Sequence, residues 1–238
     1  MIMVNCINIT GIDNGIYNLF KRAVSEKRQI KADHFYFISD SFRCICAELL
    51  IQYSLYQAVG RCVEIDLIYN QFGKPFMNHM NDFLFNISHS GNWVVIAYGS
   101  NEVGVDIEKI LLENDNIADQ FFTEEENAFI HKVPGEEKAR FTQIWTLKES
   151  YIKYLGTGLS TRLDSFSVNS LSGIIINLEG RIQKDLILKS YLFDTDYYLS
   201  ICSMEKDVII SEITLDNLIQ FISKIADKQR MNFPIRII

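Results

Sequence analysis

Proline is nearly missing from this chain, 3 in 238 residues, and glycine is sparse at 12. Such a sequence is neither a collagen-like repeat nor a Pro/Gly-rich disordered linker. Long hydrophobic runs are missing as well. The longest apolar runs, such as residues 93–98 and the mainly apolar 173–178, are strand-sized and far short of the ~20 residues that span a bilayer. The N-terminal string MIMVNCINITG has no basic leader and no long apolar segment, so it is expected to be a strand rather than a signal peptide. No surplus of positive charge exists: 23 Lys plus Arg against 30 Asp plus Glu give a formal charge of -7. That excludes a general nucleic-acid-coating role, which draws its affinity from excess cations. Five cysteines make an odd number without a CxxC pair, which points to reduced core thiols rather than disulfides or zinc. The chain is expected to be soluble and cytoplasmic, without a membrane or nucleic-acid partner.

What remains, 48% hydrophobic and 22% charged residues, is globular composition, and 238 residues suit one large domain or two small ones. A helical pattern over residues 41–56 places Phe42, Ile45, Leu49, Tyr53 and Tyr56 on one face. Strand patterns follow at residues 63–69, 83–87 and 93–98. The second half repeats the order: helices over 124–131 and 136–154, ended by Gly156 and Gly158, then strands at 166–168, 174–178, 186–193 and 197–202. A last helix covers 216–228. Helix followed by antiparallel strands, twice over, implies an α+β protein of two similar lobes rather than a doubly wound parallel sheet. The lobes are expected at residues 1–102 and 103–238.

Four strings carry possible chemistry. In Val103-Gly104-Val105-Asp106-Ile107-Glu108 the period of two puts Val103, Val105 and Ile107 toward a core and both carboxylates on the opposite face. Adjacent carboxylates repel unless a cation lies between them, and Gly104 is expected to leave room there for a ligand. An edge strand with one wet face explains the same pattern equally well. On a helix, Trp145, Glu149 and Lys153 share a stripe, with the last two at i and i+4; a solvated surface pair is the commoner origin of that spacing. Residues 86–91, NISHSG, offer a polar rim suited to phosphate oxygens, or an ordinary hairpin turn. Finally, Lys74 sits in a Gly-Lys-Pro turn, and Lys21, Arg22, Lys27, Arg28 and Lys31 cluster within an acidic protein. A solvated helix face accounts for that cluster too.

Taken together and in order, these strings resemble the surfactin-type 4′-phosphopantetheinyl transferases. The likeness rests on GKP at 73–75, FNISHSGNWVV at 85–95, GVDIEK at 104–109, FFTEEE at 121–126, WTLKESYIKYLGTGLS at 145–160 and DSFSV at 164–168. It extends more loosely from residue 26 to 203. The resemblance implies a pseudo-twofold pair of α+β lobes, each a small antiparallel sheet with a packed helix, sharing one site in the cleft between them. It implies a monomer that transfers the 4′-phosphopantetheine arm of coenzyme A to a serine of an acyl or peptidyl carrier protein, requires magnesium and releases 3′,5′-ADP.

Under that resemblance Asp106, Glu108 and Glu149 hold Mg2+, a hard cation suited to carboxylate oxygens. Glu149 is the candidate base, directly or through a metal-bound water. Lys153 neutralises or protonates the leaving diphosphate, and His89 counts with them as catalytic. Lys74, Ser88, His89 and Lys153 grip coenzyme A phosphates, while Lys27, Arg28, Lys31 and Arg43 meet its nucleotide end. His34 and Cys44 depart from the family pattern at that end. Residues 111–141, with Ile117, Phe121, Phe122, Phe129 and Ile130, are the expected carrier-docking face. A non-catalytic coenzyme A or carrier-binding module and a magnesium-dependent phosphodiesterase remain the rival readings.

Overall fold

The structure is a computed structural model, described here for residues 1–110, 117–169, 174–177 and 182–232. Its elements run β1 (Ile2–Asn8), α1 (Asn14–Arg22), α2 (Glu26–Asp33), α3 (Ile38–Val59), β2 (Leu67–Tyr69), β3 (Pro75–Met77), β4 (Leu84–Ser90), β5 (Trp93–Gly99), β6 (Val103–Lys109), α4 (Ile117–Phe121), α5 (Glu124–Ile130), α6 (Glu137–Leu155), β7 (Phe166–Asn169), β8 (Ile174–Asn177), β9 (Ile187–Phe193), β10 (Tyr197–Ser203), β11 (Val208–Glu212) and α7 (Leu215–Asn232). The mixed α+β class expected from the hydrophobic pattern is what forms. The strands assemble as β11-β1-β5-β4, β6-β10-β9, β2-β3 and β7-β8.

The chain forms two compact units, each assembled from separated segments. One comprises Met1–Val4, Asp66–Gly91 and Val95–Ile210; the other comprises Asn5–Ile65, Asn92–Val94 and the described part of Ser211–Ile238.

The second unit is mainly helical. Asp13 caps α1 by accepting from the Ile16 amide at 2.8 Å, and Ser25 caps α2 through the Arg28 amide at 3.3 Å, each satisfying a donor that the first turn leaves open. Sequence patterning underestimated α3, which extends to Val59 and ends on Gly60 at φ 72°, a left-handed stop that glycine adopts without strain. Its centre is buried on most sides, from Cys44 to Ile51. Buried Glu48 is no anomaly there, since it accepts from the Ser25 amide at 2.6 Å, the Ser25 hydroxyl at 3.0 Å and Arg28 Nε at 3.0 Å. The expectation of five core thiols needs one correction: Cys6, Cys44, Cys46 and Cys202 are buried, but Cys62 is exposed.

In the first unit α6 packs on the sheet β6-β10-β9. Phe141, Ile144, Leu147, Tyr151 and Ile152 of α6 share a cluster with Leu188 and Cys202 of the strands, which also takes in Phe122, Ile130, Phe166 and Val168. Full burial of each large side chain stabilises by about 1.5–3 kcal/mol, which fixes the helix on the sheet. Gly104 explains how close the two come. A Cβ on it would run into the backbone of Ser150 and Tyr154, so the glycine makes room for α6 and not, as its place in the motif suggested, for a ligand. The helix stops at Gly156, φ 67°, one residue beyond Leu155.

A second correction concerns residues 86–91. Of the two readings open for them, a polar rim and a hairpin turn, the turn does not hold: β4 continues through Ser90 and only Gly91, φ 53°, turns the chain. Of the expected docking face, Phe122 and Ile130 are core and Phe121 is 46% exposed; residues 111–116 and the Ile117 side chain lie outside the described residues. Among the described residues, no helix is long and apolar enough to cross a membrane.

Candidate active site

Strand β6, helix α6 and strand β4 converge on a small cavity of about 270 Å³ lined by Ile87, Ser88, His89, Asp106, Glu108, Trp145, Glu149 and Lys153. All of it lies within the first unit. The period of two delivers Asp106 and Glu108 to one face of β6 while Val103, Val105 and Ile107 are wholly buried beneath. The period of 3.6 delivers Trp145, Glu149 and Lys153 at successive turns of α6.

At the centre stands Asp106, 2% exposed. Its Oδ1 accepts from Lys153 Nζ at 2.6 Å and from Ser88 Oγ at 2.8 Å, while Lys153 also donates to Ser88 Oγ at 3.0 Å. Lys153 therefore reaches across to β6, beyond the i and i+4 partner that spacing suggested. Asp106 Oδ2 is buried and has no hydrogen-bond partner among the described residues. An unpaired buried acceptor ordinarily costs about 1–3 kcal/mol, and more when charged.

The neighbouring carboxyls register the crowding. Burial, and then the Asp106 charge, push Glu108 up to about 7, although the Ser90 hydroxyl, 2.7 Å from its Oε2, works the other way. Glu149 is likewise raised, by burial first and Asp106 second, against the pull of Lys153. Among the described residues no three His, Cys, Asp or Glu side chains stand gathered as a preformed metal cluster. The donor set nonetheless fits a hard cation: carboxylates only, mutually repelling, one with an oxygen lacking any partner.

The remaining expected residues are placed as follows. His89 is exposed on β4 and lines the cavity. Lys74 does not line it; the ammonium is buried against Glu102 Oε2 at 2.7 Å and the Tyr154 carbonyl at 3.1 Å. Lys27, Arg28, Lys31 and Arg43 all belong to the helical unit. Lys27 and Lys31 are exposed on α2, Arg28 pairs with Glu48, and Arg43 Nη2 donates to Asp40 Oδ1 at 2.5 Å.

Two features escaped the sequence reading. Lys148, wholly buried, lies 2.8 Å from Glu126 Oε1. Asn86, Ser88 and Ser90 of β4 contact the amides of β6. The first had no local signal, since its partners are 22 residues apart. The second had one: Asn-x-Ser-x-Ser is a period of two, hence a single strand face.

This two-period, two-helix-turn arrangement of carboxylates and lysine defines a class. Residues 102–202 match the family model described as the 4′-phosphopantetheinyl transferase superfamily, and residues 15–101 match that described as 4′-phosphopantetheinyl transferase, N-terminal. Similar proteins include a 4′-phosphopantetheinyl transferase of Bacillus subtilis, 34% identical over 78% of this chain and 84% of the relative. The 4′-phosphopantetheinyl transferase gsp of Aneurinibacillus migulanus is 34% identical over 85% and 86%, and Sfp of Bacillus subtilis (strain 168) is 32% identical over 79% and 85%. The chain belongs to the 4′-phosphopantetheinyl transferase superfamily and is a transferase of that group.

Proposed function

We propose that the protein moves the 4′-phosphopantetheine arm of coenzyme A onto a serine of an acyl or peptidyl carrier protein, converting the apo to the holo carrier with release of 3′,5′-ADP. The observation that carries this reading is the asymmetric Asp106: one oxygen held by Lys153 and Ser88, the other buried without a partner among the described residues, with Glu108 and Glu149 beside it. Asp106, Glu108 and Glu149 are the residues that would hold Mg2+, which when bound supplies positive charge against the diphosphate.

In the reaction the carrier serine oxygen bonds to the phosphorus that carries pantetheine, and the bond from that phosphorus to the bridging diphosphate oxygen breaks. Glu149 takes the serine proton. It lines the cavity beside Asp106, Glu108 and Lys153, within the site where that proton is released. Lys153, which holds Asp106 at 2.6 Å, neutralises or protonates the departing bridging oxygen. His89, exposed at the rim, contacts the phosphates. Ser88 and Lys74 are committed to Asp106 and Glu102, so their contacts with coenzyme A require an exchange of partners. Lys27, Arg28, Lys31 and Arg43 meet the nucleotide end.

Residues 1–102 and 103–238 act as the two lobes of a monomeric, cytoplasmic enzyme. Neither suffices, because the cavity takes Ser88 and His89 from one and Asp106, Glu108, Glu149 and Lys153 from the other. The test is mass spectrometry of an apo carrier incubated with the protein, coenzyme A and Mg2+. The carrier gains the mass of the arm, and Asp106→Ala or Glu149→Ala abolishes the gain. No gain with fatty-acid, polyketide and peptide-synthetase carriers alike overturns the proposal, and free phosphopantetheine released without a carrier turns it into hydrolysis.

A further inference from the structure

We infer that Ser90 is a positioning residue for Glu108, the last tooth of a side-chain comb through which β4 orients the carboxylates of β6. The inference rests on the proposed function, in which Glu108 is a metal ligand. Strand β6 is the outer strand of β6-β10-β9, so the amides on its free edge need acceptors. Among the described residues no strand backbone supplies them on that side. Asn86 Oδ1 accepts from the Val105 amide at 3.0 Å, Ser88 Oγ from Ile107 at 3.3 Å and Ser90 Oγ from Lys109 at 3.1 Å. Three side chains at every second residue of β4 thus meet three amides at every second residue of β6.

The two serines carry a further consequence. A hydroxyl has one hydrogen to give and two lone pairs to receive. Each serine spends a lone pair on β6, so its hydrogen points elsewhere, and in each case it goes to the carboxylate one residue before the amide: Ser88 to Asp106 Oδ1 at 2.8 Å, Ser90 to Glu108 Oε2 at 2.7 Å. Ser88 is saturated, because Lys153 takes its second lone pair. Ser90 has no third partner among the described residues, and its bond to Glu108 is the one that fixes that carboxylate. Pinning Oε2 leaves Oε1 as the oxygen offered to a cation and sets the rotation of the whole group. Hydrogen bonds of this kind to metal-ligating carboxylates are worth about 10–100-fold in metal affinity.

The experiment is Mn2+ titration of the full chain in the presence of coenzyme A, by calorimetry, for the unaltered protein and for Ser90→Ala, Ser90→Cys and Ser90→Thr. Ser90→Ala is expected to weaken Mn2+ binding about tenfold, while coenzyme A affinity measured in EDTA stays as it was. Ser90→Cys, close in size but a weak donor, follows Ala and carries the test if the Ala variant fails to fold. Ser90→Thr, which keeps the hydroxyl, returns the affinity. Equal Mn2+ affinity in the unaltered, Ala and Cys proteins overturns the inference and leaves the proposed function standing. Loss of coenzyme A affinity in EDTA also overturns it, since Ser90 would then be a ligand contact. Failure of the unaltered protein to bind Mn2+ with coenzyme A sinks the metal-dependent reading itself.

Discussion

Helix α6 carries two lysines five residues apart, each paired with an acid, and the two pairs are built on opposite principles. Lys148 is saturated. Its ammonium has three hydrogens and three acceptors, Glu126 at 2.8 Å, the Leu163 carbonyl at 2.8 Å and the Phe166 carbonyl at 2.6 Å, with the Phe166 ring below. Glu126 is equally occupied, taking the Val168 amide on Oε1 and the Thr123 amide on Oε2. Lys153 and Asp106 are lopsided: among the described residues every bond falls on Oδ1, and Oδ2 has none. A buried pair whose bonding capacity is used up belongs to the architecture. One that leaves an oxygen unused, in a cavity with two further carboxylates, belongs to the chemistry.

Exchanging a member of each pair should separate the two roles. Lys148→Met leaves Glu126 charged and buried without its cation, and is expected to cost about 3–5 kcal/mol of stability in urea denaturation. A change below ~1 kcal/mol would break the contrast. Lys153→Met removes the cation of a carboxylate that is itself buried, so a loss of stability is expected here too; what sets this pair apart is that the transfer rate at saturating substrates falls by ~100-fold or more. If coenzyme A affinity falls as much as turnover does, Lys153 is an anchor and not a participant in the bond-breaking step.

Neutralising both members of the sealed pair, Lys148→Met with Glu126→Gln, should recover most of the stability lost in the single variant, because the uncompensated charge is gone. Denaturation midpoints that simply add would show that the two side chains do not act as a unit. Gly104→Ala sharpens the contrast from the side of the sheet: its methyl meets α6 backbone, so about 1–3 kcal/mol of overpacking is expected, read as a lowered Tm. The smallest effect is chemical. Burial holds Cys6 and Cys46 up at about 12, so only the exposed Cys62 should react promptly with a thiol reagent at pH 8. More than one fast-reacting thiol per folded chain would contradict that burial.

Local periodicity explains what was readable in the sequence. Asp106 and Glu108 share a face because a strand repeats every two residues, and Trp145, Glu149 and Lys153 share one because a helix repeats every 3.6; these five line the cavity. What could not be read is what depends on distant chain. The partner of Lys74 is Glu102 and that of Lys148 is Glu126, and no local pattern announces either. Gly104 illustrates the same limit, since its purpose lies in the backbone of a helix some 50 residues on. Helices α1 and α2 were legible only as a solvated face behind the basic cluster, because they are short and depend on caps at Asp13 and Ser25. The Ser-His-Ser end of β4 looked like a turn by composition, because strand propensity disfavours what its pairing role requires.

The comb on β4 also bears on how the protein behaves in company. The outer strand of an antiparallel sheet is an open template, and an unguarded row of amides invites another chain to add a strand and start an aggregate. Here the edge donors are closed one by one: Val105, Ile107 and Lys109 already donate to Asn86, Ser88 and Ser90. Side chains fill those bonds without extending the ladder, so β6 ends its sheet and offers no edge on which a further strand can be laid.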